Sequence, residues 1–186
     1  MSLNVGRVLL STVTTVGAEL NVDFDDLLTS DYDRFEIDFF NVAPVTDSRY
    51  LYGRVGTGST YDAGASDYDE ASIRILGTTN TPSGFSDSTA TGFYLTSGNL
   101  MGNGSGEKAQ GTLTIMRPNV ATEFTVMYWT TIFYSETPIL INVRGSAART
   151  TAGANPSFRF TLLDSGLSAD ANGFAADSIF KLYGIR

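Results

Sequence analysis

Arg34-Phe-Glu-Ile-Asp-Phe-Phe40 sets charged and apolar side chains in strict turn: Phe35, Ile37 and Phe39 fall on one side, Arg34, Glu36 and Asp38 on the other. A period of two is the signature of a strand with one buried face. Working outward, the same reading gives short strands at Gly6–Thr14, Glu19–Phe24 and Tyr50–Val55, then at Ala71–Leu76, Gly92–Thr96 and Gly111–Met116. Glu123–Tyr134, Ile139–Arg144, Ser157–Leu163 and Ile179–Ile185 complete the set. Gly, Pro, Asn, Asp and Ser clusters separate them. About ten or eleven short strands with turn signals between them predict a sandwich or barrel. Only Asp25–Ser30 and Ser168–Ser178 leave room for a helical turn, and no repeat of fixed period is present. The chain ends on the apolar Leu182-Tyr-Gly-Ile185, which predicts a last strand held inside a sheet, since an unpaired apolar end would fray. The expected architecture is a single all-β domain over 1–186, an antiparallel β-sandwich.

Glu123-Phe-Thr-Val-Met-Tyr-Trp-Thr-Thr-Ile-Phe-Tyr134 differs from the other strands in being apolar on both sides. Phe124, Val126, Tyr128 and Ile132 alternate with Met127, Trp129 and Phe133. A strand of an exposed antiparallel sheet needs one polar face. Two readings follow: a central strand covered on both sides, or a sheet whose outer face meets another subunit. Phe124, Val126, Met127, Trp129 and Phe133 are the residues expected in the core and at a subunit contact.

Composition narrows the function classes. With 186 residues the chain is long enough to bury a core, and its net charge is −8. Two lysines, Lys108 and Lys181, and ten scattered arginines do not form the basic patch that a nucleic-acid backbone requires. Charged residues make up only 17%, so few charges have to be desolvated when such a surface assembles. There is no cysteine and no histidine, which removes disulfides, Cys/His zinc sites and the Ser-His-Asp triad. Met1-Ser-Leu-Asn-Val-Gly-Arg-Val-Leu-Leu10 lacks a basic start followed by a long apolar run, so no signal peptide is expected. No stretch approaches the roughly 20 apolar residues of a membrane span.

Motifs that imitate chemistry fail on spacing. In Gly102-Asn-Gly-Ser-Gly-Glu-Lys108, Glu107 precedes the lysine, Ala109 follows it and a strand comes next, which is not a phosphate-binding loop. The acids of Asp164–Asp177, and Asp62, Asp67, Asp69 and Glu70, are dense enough to invite a divalent cation. They lack the regular spacing and closing Glu of a calcium loop, and read as solvated turn residues. Asp31 with Asp33, or Glu36 with Asp38, are chance-level carboxylate pairs for glycosidase chemistry among 20 acids. No enzyme activity, cofactor or metal is expected. Gly56–Glu70, Gly77–Ala90 and Asn99–Lys108 read as long loops. Tyrosines among their Gly, Ser and Asp residues form a mixture suited to stacking on sugars or to protein contact. Tyr61, Asp62, Tyr68, Asp69, Phe85 and Tyr94 are the candidate recognition residues.

Two stretches together resemble a family of tailed-bacteriophage virion proteins. The first is Leu27-Leu-Thr-Ser-Asp-Tyr32-Asp-Arg-Phe35-Glu-Ile37-Asp-Phe39-Phe-Asn41-Val42-Ala-Pro44, continuing to Asp47, Tyr50-Leu51 and Arg54, with an acidic Gly/Ser loop and tyrosine after it at Thr57–Tyr68. The second is Phe158-Arg-Phe160, Ser165-Gly166 and Phe180-Lys-Leu182-Tyr183-Gly184-Ile185, which looks like that family's closing hairpin. The insert Leu167–Ser178 departs from the family's tight Ser-Gly turn, and the middle of the chain has no counterpart. The resemblance implies a jelly-roll-like sandwich and a non-enzymatic virion part: a head decoration, spike, tail, baseplate or fibre component. It implies synthesis in the host cytoplasm, other virion proteins as partners, and self-assembly as a trimer. The alternative is a carbohydrate-binding adhesin whose loops grip host glycan. Neither nucleic acid nor membrane insertion is expected.

Overall fold

The computed structural model describes residues 6–186; residues 1–5, which head the signal-peptide reading, lie outside the described residues. The strands in chain order are β1 (Arg7–Thr14), β2 (Asn21–Phe24), β3 (Arg34–Val42), β4 (Tyr50–Thr57), β5 (Thr60–Tyr61), β6 (Tyr68–Leu76) and β7 (Pro82–Ala90). They continue with β8 (Phe93–Tyr94), β9 (Ala109–Met116), β10 (Val126–Tyr134), β11 (Leu140–Arg149), β12 (Ser157–Leu163) and β13 (Ile179–Ile185). The described residues contain no helix, and so none long and apolar enough to cross a membrane.

The protein is an all-β, jelly-roll-like antiparallel sandwich. Its large sheet has eight strands in the order β1-β13-β3-β9-β10-β11-β6-β7. The smaller sheet runs β2-β12-β4-β5, with β8 also paired to β4. The inner faces supply one continuous core. Phe35, Ile37 and Phe39 of β3 point inward, as their alternation requires, and each is fully buried. From the other sheet, Phe158, Phe160 and Leu162 of β12 meet them, with Phe39 edge-on to Phe160 at 5.9 Å. Trp129 of β10 stacks on Phe93 at 5.2 Å. On its other side Trp129 lies over Gly145 of β11, where an added Cβ would come within 2.2 Å of the indole. Only glycine leaves room for that ring.

Tertiary pairing revises several sequence expectations. The last strand is held on both sides, β13 lying between β1 and β3. It does not form a closing hairpin with Phe158–Phe160, because β12 belongs to the small sheet, between β2 and β4. The insert after Gly166 crosses from one sheet to the other, and it buries Phe174 beneath the core while Phe174 bridges Glu19 and Pro44. The expected loop Gly77–Ala90 is largely β7, an edge strand paired with β6. Thr60–Tyr61 adds a short pairing with the end of β4. Asp25–Ser30 and Ser168–Ser178 form turns rather than helix.

Candidate functional site

Strand β10 sits fourth from the β7 edge of the large sheet, and its two faces meet different surroundings. Met127, Trp129, Thr131 and Phe133 face the small sheet and are buried. Val126, Tyr128, Ile132 and Tyr134 face away and remain 38–45% exposed. Nothing in the described chain covers them. Of the residues expected at core and subunit contact, Met127, Trp129 and Phe133 are therefore core only. Val126 lies on the open face, and Phe124, 57% exposed, sits just before the strand. The reading in which the chain itself covers β10 on both sides is corrected.

Cross-strand register extends this open face. Tyr134 pairs with Leu140 and Ile132 with Asn142 on β11, while Ile75 and Ile73 of β6 pair with Asn142 and Arg144. On the other side Thr114, Thr112 and Gln110 of β9 lie opposite Tyr128, Thr130 and Ile132. Phe40, Ile73, Ile75 and Leu140 are exposed here as well. Shallow hollows run across the same surface. One of 640 Å³ is bordered by Asp69, Ala71, Ser86, Asp87, Val126 and Ser146. Another of 370 Å³ is bordered by Phe40, Lys108, Gln110, Ile132, Tyr134 and Leu140. The surface combines apolar and aromatic side chains with hydroxyls and amides, a composition suited to a partner surface or to an extended polyol.

Charge is unevenly spread over this face. Toward β1 it is paired: the Arg7 guanidinium bonds Glu36 at 3.1 Å and Asp38 at 2.7 Å and stacks on the Tyr183 ring, while Thr112 donates to Asp38. Glu36 and Asp38, weighed as a carboxylate pair, are thus held in a salt-bridge network. Toward β7 the charges stand apart, with Arg144 on β11 and Asp69 on β6 both exposed.

The candidate recognition residues do not form one outward surface. Tyr68 is fully buried on the inner face of β6, where its hydroxyl accepts the Val55 N–H at 2.9 Å. Tyr94 is 8% exposed and packs edge-on to Tyr52 at 4.8 Å and Phe85 at 5.6 Å. Tyr61 donates to the Asp25 carboxylate, and its ring is capped at 4.1 Å by Arg159, itself paired with Asp23. Burial, then the Asp25 contact, raises the Tyr61 phenol well above its ordinary pKa. Asp62 is clamped by Arg149 at 2.6 Å. Asp69 alone of the six stands exposed on the open sheet face, and Phe85 is half-buried. Recognition through Tyr68 and Tyr94 is corrected: both rings are packing groups.

Glu70, read from the sequence as a solvated turn acid, is instead buried. It follows Tyr68 by two residues and so points inward, where it is 4% exposed. One carboxylate oxygen accepts the Tyr94 N–H at 2.9 Å, while the other has no partner among the described residues. Burial pushes this carboxyl up to about 8, and nearby Asp87 adds to the rise. Ser72 and Arg74, next on the same inner side of β6, bond Ser97. Together the three side chains tie the Phe93–Ser97 segment to the sheet.

No protein-family model matches the chain. No curated protein matches it. Among solved structures, an alginate lyase from Chlorella virus aligns over 97% of this chain and 90% of its own, at 10% identity and TM-score 0.35. The monomer form of the sensor domain of M. tuberculosis PknI aligns over 67% of this chain and 99% of its own, at 14% identity and TM-score 0.14. At those scores neither likeness bears on function.

Proposed function

We propose that this chain is a non-enzymatic structural component of a bacteriophage particle, displayed as a decoration, spike, tail or fibre part. It assembles with copies of itself, as a trimer, and with other particle proteins. It is made in the host cytoplasm and its final place is the virion. The observation that supports assembly is the uncovered apolar row Val126, Tyr128, Ile132 and Tyr134 on the outer side of a central strand. A contiguous apolar sheet face of this kind is a burden for a lone soluble molecule and an asset at an interface. The virion assignment is supported by the resemblance at Leu27–Tyr68 and Phe158–Ile185, and by a lightly charged surface.

Light scattering on the purified chain tests the assembly part. The expected mass is about 60 kDa, three times 20.0 kDa, falling to one copy in Tyr128→Glu or Ile132→Glu. A wild-type monomer at high concentration sinks it.

A second reading, a glycan-binding module, draws on the same face, because exposed Tyr128 and Tyr134 rings stand among Gln110, Asn142 and Thr130. Aromatic faces beside amides and hydroxyls suit sugar stacking and hydrogen bonding. Glycan-array binding lost in Tyr128→Ala or Tyr134→Ala, but kept in Tyr61→Ala, would favour it.

A further inference from the structure

We infer that Arg144 of one copy pairs with the Asp69 carboxylate of the next, and that this contact sets the register of assembly. The inference rests on the self-assembly reading above and specifies it. Its starting point is the fate of the ten arginines. Arg7, Arg34, Arg49, Arg117, Arg149 and Arg159 are in salt bridges. Arg54 and Arg74 donate hydrogen bonds, to Thr91 and to Ser83 and Ser97. Arg186 lies over the Tyr32 ring. Arg144 alone makes no ion pair, hydrogen bond or ring contact among the described residues. In a chain of net charge −8, a guanidinium with no partner of any kind among the described residues stands out, since acids outnumber bases by 20 to 12.

Its position gives the vacancy a meaning. Arg144 is exposed near the middle of the open face, between Thr130 of β10 and Ile73 of β6 in register. Asp69, also exposed and without a hydrogen-bonded partner among the described residues, stands on the same face beside Ala148, four residues along β6 from Ile73. At about 3.4 Å per residue and 4.8 Å between strands, the two backbone positions are about 14 Å apart, and no ion pair joins the two side chains within the described chain. Between them lie Ala71 and Ser146, directly paired and small. A neighbour can therefore approach closely in the gap, and the hollow bordered by Asp69, Ala71 and Ser146 marks it.

Opposite charges at separate points of one apolar face make that face complementary to a second copy of itself. When the Arg144 of one copy meets the Asp69 of the next, the pair as a whole still offers one charge of each sign, Asp69 on the first copy and Arg144 on the second. Repeated head to tail with a rotation that closes, such a contact forms a ring, and three copies make the smallest ring of this kind. Tyr128, Ile132 and Ile73 flank the pair and exclude water from it. The apolar surface supplies the affinity; the charges select the register and the partner.

The test measures oligomer dissociation by sedimentation for the full chain and for Arg144→Glu, Asp69→Arg and the double reversal. Each single reversal is expected to weaken assembly at least tenfold, and the double reversal to restore it to within about threefold. Wild-type assembly is expected to weaken with salt. Thermal melts show whether each variant is folded, and Arg144→Gln provides a milder version. If the wild type assembles and the single reversals assemble equally well, this inference falls while the assembly reading stands. If the wild type is a monomer, both fall. If Arg144→Glu abolishes retention on immobilised polygalacturonate with the mass unaltered, the occupant is an acidic glycan and the inference is overturned.

Discussion

The two sides of β10 are equally apolar in sequence and opposite in circumstance. Met127, Trp129 and Phe133 are at most 2% exposed against the small sheet, whereas Val126, Tyr128, Ile132 and Tyr134 are at least 38% exposed one residue away. Alternation tells which residues share a face; it is silent on what covers that face. One side has its cover within the chain, so its energy belongs to folding. The other has none among the described residues, so its energy is available for association.

That division can be broken from either side. The largest effect is expected from Phe133→Ala, which opens a cavity at a residue 1% exposed and should cost about 3–5 kcal/mol in urea unfolding. A smaller loss on the same side is expected from Gly145→Ala. Its methyl would meet the Trp129 ring, and overpacking of this kind costs about 1–3 kcal/mol, readable in the same unfolding curves. If either change were neutral, the inner side would not be the packed one.

Glu70 sharpens the comparison through pH. Its carboxyl is pushed up to about 8 in the fold, well above the ordinary glutamate range, because burial disfavours the charged form. The folded state therefore holds this proton more tightly than the unfolded one. Its contribution to stability is full below the unfolded pKa and is lost as pH rises through about 8, with a slope no steeper than about 1.4 kcal/mol per pH unit. Glu70→Gln should flatten thermal stability between pH 5 and pH 8 on the order of this amount. An unchanged pH profile would mean that the carboxyl is not desolvated.

The smallest effect on folding belongs to the outer side. Ile132→Glu should change unfolding free energy by less than about 0.5 kcal/mol at concentrations where the chain is monomeric, while abolishing assembly. Loss of folding stability on the scale of Phe133→Ala would show that the outer side is packed after all.

Much of the fold is legible because apolar side chains alternate visibly. Arg34–Phe39 and Ser157–Leu163 announce their strands, and the second matches β12 to the residue. Strand β7 is hidden because an edge strand buries little: Pro82, Gly84, Ser86 and Asp87 give no apolar rhythm, and only Phe85 and Ala90 hint at one. Its pairing is imposed by β6. Tyr68 and Glu70 are misread for a related reason. They belong to an inward series, Tyr68, Glu70 and Ser72, whose polar members disguise the face they occupy. Sheet membership of β12 and β13 is not local information, because a strand pattern does not state which neighbour it joins. Of the open face, the sequence displays Val126, Tyr128 and Ile132, and Asp69 only as a loop residue; that Arg144 and Asp69 share this face follows from the β11–β6 register.

The central claim is that the outer side of β10 is covered by another copy. Hydroxyl-radical footprinting read by mass spectrometry, across a dilution series, tests it at the residues concerned. Tyr128, Ile132 and Tyr134 are expected to become protected as concentration rises, while Val16, 86% exposed and far along the chain from this face, stays equally reactive. Uniform reactivity of Tyr128, Ile132 and Tyr134 at every concentration would contradict it.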